Sequence, residues 1–152
     1  MIARNCRLHD VQDVLDEARR FLSLPRPEPA QHIAPAPAGS PESARRLFAM
    51  GQPIRGTLVE SYLRARGIGD LRCLPALRFH PRCFHRTIEN GPCETWPALL
   101  AAVTDRDGTI TGLHRTWLAR DGTDKAPLAT PRRAMGQLLG NGVRFGEPAD
   151  VL

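Results

Sequence analysis

The chain has 152 residues, with 21 Lys and Arg against 16 Asp and Glu, and its formal net charge is +5 at pH 7. This length fits one compact domain with tails. No segment reaches the ~18 consecutive apolar residues of a membrane-spanning helix, and the N-terminal run MIARNCRLHD lacks the apolar core of a secretory signal. We therefore expect a cytoplasmic protein whose four cysteines are reduced.

The excess of positive charge favours a polyanionic partner such as nucleic acid. Nearly all of this charge is arginine, and Lys125 is the only lysine in the chain. The arginine-rich coding of a GC-rich genome would produce the same excess without such a partner. Charge alone therefore leaves both interpretations open.

Two segments with different compositions precede the body of the chain. Residues 10–22 read DVQDVLDEARRFL and carry apolar side chains at helical spacing. Asp10 is a natural N-cap for this helix. Residues 25–40 are rich in Pro and Ala, which is typical of a semi-extended linker and not of a packed core. We expect an N-terminal helical segment over residues 1–24, followed by this linker.

Helix signals open the body of the chain. Ser40 is suited to cap a helix whose first residue is Pro41, where the missing N–H costs nothing. Thr57 and Glu60 have the spacing of a capping box, and Gly67 is a suitable stop for that second helix.

Strand signals follow. The segment 77–80, LRFH, predicts a short strand that ends at Pro81, and the apolar run 98–104 predicts a strand buried on both faces. Asp105–Gly108 predicts a hairpin turn, with residues 109–118 as the return strand.

The last part of the body has no single regular pattern. Residues 131–139 suggest a helical turn or short helix, and residues 143–145 suggest a last short strand. Together the segments predict an α+β domain over residues 41–147, with N-terminal helices and a small mixed or antiparallel sheet.

The candidate binding residues form a basic set after the hairpin. Nucleic-acid backbones need several cations spaced to meet successive phosphates. Loops between strands can place such cations on one rim, although a solvated surface balanced by the aspartates of nearby turns is the alternative. Trp117 is the only expected aromatic contributor, and a core position is its alternative. The predicted phosphate-binding residues are Arg115, Lys125, Arg132, Arg133 and Arg144.

Two other kinds of site are considered and not predicted. The residues His80, Cys83, His85 and Cys93 have the right types for zinc, but their spacing does not match two closely spaced ligand pairs. The second kind is a catalytic pair of carboxylates, Asp105 and Asp107. These residues lie in a predicted turn, where aspartate is common for conformational reasons. We therefore predict no catalytic residue and no metal site in this chain.

Four ordered blocks of sequence carry a resemblance. They read ARRLFAMGQPIRGTLVESYLRARGI (44–68), LRFHPRC (77–83), ETWPALLAAVTDRDGTITGLHRTWL (94–118) and DKAPLATPRRAMGQLLGNGVRFG (124–146). The run from Ser43 to Phe145 resembles the N-terminal, pre-Toprim region of the Toprim-containing, DNA primase-like proteins of bacterial plasmids and mobile elements.

The resemblance implies a role in DNA replication. In bacterial replicative primases, which the chain resembles more loosely, a small α+β subdomain precedes the Toprim fold, and the two enclose a basic groove for template DNA and nucleotide. The resemblance implies that Lys125 contacts a phosphate and that Arg115, Arg132 and Arg133 line the groove. Single-stranded DNA or a primer-template is the implied partner.

The resemblance also implies what this chain lacks. Residues 148–152 fall about where the first Toprim strand would begin, so the carboxylates that hold magnesium in a Toprim domain are absent. We expect no primer synthesis by this chain alone, and magnesium only with a Toprim domain in cis or in trans. The alternatives are a protein-interaction or inhibitor module of a mobile element and a non-functional truncated gene product.

Overall fold

The structure, a computed structural model, describes residues 18, 20–22, 39–72, 74–88 and 90–145. The chain divides into two units, Met1–Ile33 and Ala34–Leu152. In the first unit the Leu22 N–H donates to the Ala18 carbonyl at 3.1 Å, as the end of the predicted helix 10–22 requires. The rest of that helix, residues 25–38 of the linker and residues 148–152 lie outside the described residues.

The second unit combines two helices with one four-stranded sheet. The strands pair antiparallel in the order β1-β2-β3-β4, so each strand lies beside its neighbour in the chain. This confirms the predicted α+β class and makes the sheet antiparallel. Among the described residues, no helix is both long and apolar enough to cross a bilayer. The elements are α1 (Pro41–Ala49), α2 (Leu58–Ala65), β1 (Leu77–His85), β2 (Glu94–Thr104), β3 (Ile110–Trp117) and β4 (Arg132–Gly136).

Both helices begin where the sequence predicts. The Ser40 hydroxyl accepts the Ser43 N–H at 3.2 Å, and a proline follows it at the first helical position. The Thr57 hydroxyl accepts the Val59 N–H at 3.3 Å, while the Glu60 carboxylate accepts the N–H of the residue before Thr57 at 2.6 Å. Thr57 therefore caps α2 as predicted, but each of the two hydrogen bonds of the predicted capping box is displaced by one residue.

The end of α2 is a Schellman motif. Gly67 has φ +79°, and its N–H donates to the Arg64 carbonyl at 2.9 Å. The Ile68 N–H reaches back to the Leu63 carbonyl at 3.1 Å. Because only glycine adopts this backbone conformation without strain, Gly67 ends the helix as predicted.

The sheet has a core on each face. We call the side covered by α1 the α1 face and the side covered by α2 the α2 face. The strand β2 places Leu100 in the first core and packs Leu99 against the second, which confirms burial on both sides. The α1-face core contains Ala44, Phe48, Cys83, Ala98, Leu100, Ala102, Leu113, Trp117, Ala126 and Met135. The α2-face core contains Ile54, Val59, Tyr62, Leu63, Leu77 and Leu118.

The strand β1 does not end at Pro81, so this boundary was wrong. It continues to His85 through a bulge between His80 and Cys83. A proline has no N–H to give to a ladder, but at a bulge in an edge strand none is required. The bulge redirects the second half of β1, and the Trp117 indole Nε1–H donates to the Cys83 carbonyl at 3.2 Å. Residues 83–85 stay paired with β2 and are tied to the α1-face core by this contact.

The segment after residue 130 also differs from its prediction. Residues 132–136 form the edge strand β4 instead of a helical turn, because pairing with β3 outweighs the helix propensity of this short run. Residues 143–145 form no strand; the neighbouring Gly142 makes only an isolated bridge to Thr104.

The hairpin turn between β2 and β3 forms as predicted. The Asp105 side chain accepts the N–H groups of Asp107 and Thr109 at 3.0 and 2.8 Å, and Gly108 has φ +82°. The Asp105 carboxylate thus has a structural role in the turn.

A pair of glycine variants tests the packing of β4 on β3. Gly136 and Gly140 both have positive φ, +77° and +78°, but a Cβ at Gly136 would lie 2.5 Å from the Thr111 carbonyl oxygen, whereas a Cβ at Gly140 meets nothing within 4 Å. We expect Gly140→Ala to lower the free energy of unfolding by about 1 kcal/mol and Gly136→Ala by at least about 2–3 kcal/mol. Urea unfolding followed by tryptophan fluorescence measures both, and equal losses would contradict this account of the β3–β4 contact.

Candidate nucleic-acid interface

The sheet register gathers four of the five predicted cations at one corner. Arg115 on β3 lies opposite Arg133 on β4, and Arg132 lies opposite Thr116. Lys125 forms a bridge with the residue that follows β3, Leu118. We call the end of β3, the start of β4 and Lys125 the β3–β4 corner.

The corner has cations on both of its faces. Side chains alternate along a strand, so Arg115 and Arg133 share the α1 face with Trp117, which belongs to that core. Arg132 lies on the α2 face because it is next to Arg133 in the strand. Lys125 lies on the same face because it is bridged to Leu118 of the α2-face core. The predicted set is therefore divided between two sides of one edge and does not line a single surface.

Arg115 is a half-buried cation in apolar surroundings. Its guanidinium carbon lies 5.1 Å from the centre of the Trp117 ring, which is a cation–π distance. Burial lowers the Arg115 pKa, the neighbouring charge of Arg133 lowers it further, and Cys83 acts in the opposite direction. Among the described residues, the buried Arg115 Nε has no hydrogen-bond partner. The guanidinium remains a cation, because arginine does not deprotonate in proteins.

Arg133 connects the corner to the redirected half of β1. Its Nη1 donates to the carbonyl of Arg86, the residue that follows β1. Two edge strands at opposite sides of the sheet order are thus joined across the α1 face by one side chain.

Lys125 lies in a loop that an ion pair holds to α2. Asp124 contacts the Arg66 guanidinium at 2.7 Å, and the Arg66 side chain lies 4.2 Å over the Tyr62 ring. The Lys125 N–H donates to the same Asp124 carboxylate at 2.7 Å. This backbone hydrogen bond, followed by Arg66, lowers the Asp124 pKa. The loop carboxylate nearest to Lys125 is therefore engaged by another cation.

Arg144 is not part of the corner. Its guanidinium donates to the Thr104 hydroxyl at 2.5 Å and to the Asp105 carbonyl, at the hairpin end of the sheet. Strands rise about 3.3 Å per residue, so the length of β3 separates Arg144 from the corner by roughly 20 Å. Arg144 braces the β2–β3 turn.

Two of the four candidate zinc residues, Cys83 and His85, pack in the core. His85 is buried, packs edge-on against Trp117 with ring centroids 4.6 Å apart, and has Nε2 3.3 Å from the Thr130 carbonyl. Cys83 is buried beside it, whereas Cys93 is exposed. Nδ1 of His80 accepts a backbone N–H at 3.2 Å. In the part of the chain that the structure describes, no group of three or more His, Cys, Asp or Glu could hold a metal ion.

One exposed group was missed by the sequence analysis. Phe84 is exposed on the redirected half of β1, with exposed Arg82 and Arg86 two residues to either side. Trp117, the expected aromatic contributor, is fully buried. The sequence RCFHR at residues 82–86 alternates charged or aromatic residues with Cys and His, which is the pattern of a strand with one exposed face. The predicted strand end at Pro81 excluded these residues from consideration.

The fold and the site define a small α+β domain with a basic sheet corner. The family model described as a domain of unknown function, DUF7146, matches residues 38–145, which include all five predicted cations. The chain therefore belongs to the DUF7146 family. The comparison with curated proteins and the comparison with solved structures each found no match.

The ion pair at the corner can be tested through the single lysine. We expect Arg66→Ala to accelerate cleavage by a lysine-specific protease at Lys125 several-fold, because the loop loses its attachment to α2 and opens locally. Since the Asp124 pKa is lowered, the pair is intact at neutral pH and is lost only as the pH falls through that pKa.

Arg64→Ala is the matched control for this loop. It breaks an ion pair with Glu60 on the same helix, and the side-chain hydrogen bonds of Arg64 also go to Glu60 and not to the loop. Equal cleavage rates for both variants would mean that Arg66 does not restrain the loop.

The two described cysteines should differ in reactivity. Burial raises the Cys83 pKa to about 11, so only about one thiol in a thousand is ionised at pH 8. We expect iodoacetamide at pH 8 to alkylate the exposed Cys93 in the native protein and to spare Cys83 until urea is added. Peptide mass spectrometry reports each site, and equally fast labelling in the native protein would contradict the packing of β1.

Proposed function

We propose that this domain binds single-stranded nucleic acid, in particular a DNA template, by phosphate contacts at the β3–β4 corner. The observation that carries the proposal is that Arg115 lies directly opposite Arg133 on the neighbouring strand. Like charges in such cross-strand positions repel one another and destabilise the sheet. An anion bound at Arg115 would reduce that repulsion and gain charge-assisted hydrogen bonds.

The environment of Arg115 supports an anionic ligand. Its Nε has no hydrogen-bond partner among the described residues, and its charge is already partly removed from water. A charge interacts more strongly with an ion of opposite sign when water is excluded from its surroundings. The partial desolvation at Arg115 therefore favours binding of a phosphate over binding of water.

The other cations of the corner favour an extended polyanion over a single small anion. Arg132 is exposed on the opposite face of β4, and Lys125 lies on that same face. A flexible single strand that passes around the β4 edge could place successive phosphates against both faces. Such binding is weak, sequence-independent and strongly dependent on salt.

The biological setting rests on the sequence resemblance. The blocks that resemble the pre-Toprim region of primase-like proteins support template binding in a replication protein of a plasmid or mobile element, beside a Toprim domain in cis or in trans. The described residues include no group that fits magnesium.

A second candidate is a protein-interaction module. Leu139 and Phe145 are 94% and 62% exposed, respectively, in the segment after β4. Aromatic side chains such as Phe145 are enriched at protein interfaces. A tight protein partner, together with no affinity for DNA, would favour this candidate.

A salt series of DNA binding tests the first candidate. The double variant Arg132→Gln/Arg133→Gln should weaken binding of a labelled single-stranded DNA by about tenfold at low salt and reduce the slope of log K against log salt by about 1.4, as expected for two lost contacts to a single strand. Fluorescence anisotropy measures both quantities.

The control variant removes two positive charges elsewhere. Arg64→Gln/Arg106→Gln changes α2 and the β2–β3 turn, and should leave the salt slope near that of the unmodified chain. If both double variants lose affinity equally, net charge and not the β3–β4 corner accounts for binding. If the unmodified chain binds no DNA even at low salt, the proposal fails.

A further inference from the structure

The redirected half of β1 has a strict division between its two sides. Cys83 and His85 are 1% and 3% exposed and point into the α1-face core. Phe84, between them, is 69% exposed. Because strand residues alternate, the same geometry that buries its two neighbours turns the Phe84 ring to solvent.

Two arginines accompany this ring. Arg82 and Arg86 are both exposed and stand two residues before and after Phe84. Residues two apart in a strand are about 7 Å apart, so each guanidinium can reach the surroundings of the ring. A single exposed apolar side chain is ordinary on a protein surface. An aromatic ring between two cations is more specific, because its ligand needs both an apolar face and negative charge.

The backbone beneath the ring is fixed at three points. The Trp117 indole donates to the Cys83 carbonyl at 3.2 Å, and the His85 ring packs on Trp117. Arg133 donates to the Arg86 carbonyl. Binding to Phe84 would therefore require little ordering of the chain, and the last contact makes this surface continuous with the β3–β4 corner.

We propose that Phe84 is a stacking site for an unpaired nucleobase, with Arg82 and Arg86 holding the flanking phosphates. The inference rests on the proposed function and extends it, because the corner accounts for phosphate contacts alone. A nucleobase has an apolar face that stacks on an aromatic ring, and its backbone supplies the negative charge that two arginines require. In a duplex each base face is covered by its neighbours, so the site selects single strands.

Two probes separate stacking from charge. The first is a fluorescent oligodeoxythymidine of about 20 nucleotides, longer than the roughly 4–16 nucleotides that small single-strand-binding folds occupy. The second is an abasic phosphodiester of the same length, which keeps the charge and lacks the bases. The intact chain should bind the first more tightly than the second.

The variants are chosen to keep the fold. Phe84→Leu retains an apolar side chain at an exposed position, and Phe84→Trp retains an aromatic ring. We expect Phe84→Leu to weaken oligodeoxythymidine binding by about tenfold without changing abasic binding, and Phe84→Trp to preserve both. Arg82→Gln/Arg86→Gln should weaken binding of both probes.

The outcomes distinguish this inference from the function on which it rests. If the intact chain binds both probes and Phe84→Leu changes neither affinity, the stacking site is overturned while phosphate binding at the corner stands. If Phe84→Leu weakens both probes equally, Phe84 acts through the fold and the inference is also overturned. Binding of neither probe by the intact chain overturns both proposals.

Discussion

The hydrogen bond from the Trp117 indole to the Cys83 carbonyl is the contact on which the arrangement of this domain depends. It joins the end of β3 to the part of β1 that the Pro81 bulge redirects. An indole N–H buried without a partner would be costly, so the core tolerates this large ring only where a carbonyl is available. The same contact ties residues 83–85 to the α1-face core.

Trp117 also explains how the sheet accommodates a cation in its core. The guanidinium of Arg115 lies over the ring, and the ring's electron-rich face offsets part of the loss of water around that charge. The neighbouring charge of Arg133 also disfavours the Arg115 cation, and the ring acts against both unfavourable effects. The stacked pair leaves the charge of Arg115 unneutralised, which is the property that a phosphate can use.

Local signals made much of this fold predictable. The caps at Ser40 and Thr57, the stop at Gly67 and the turn at Asp105 each depend on residues within five positions of one another, and each forms as the sequence predicts. The burial of β2 on both faces was equally visible, because its apolar run has no polar alternation.

The sequence predictions were wrong where contacts between residues far apart in the chain determine the structure. Pro81 ends a strand in isolation, but the bulge and the Trp117 contact carry β1 beyond it. Residues 132–136 have no strong strand preference, and pairing with β3 alone makes them a strand. The predicted cations were divided between two faces because the register that separates Arg132 from Arg133 depends on that same pairing, and Arg144 belongs to another end of the sheet.

The order of the strands has a consequence for how the chain folds. Since spatial order equals chain order, every strand pairing closes a connection between neighbours, and none requires a distant crossover. Short connections between paired strands lower the entropy lost before those strand pairs form, which favours rapid formation of the sheet. Other contacts join residues much farther apart in the chain: Cys83 and Trp117 are separated by 34 residues, and Arg86 and Arg133 by 47. The sheet can therefore assemble from hairpins first, with the redirected half of β1 closing over the α1 face as a late step.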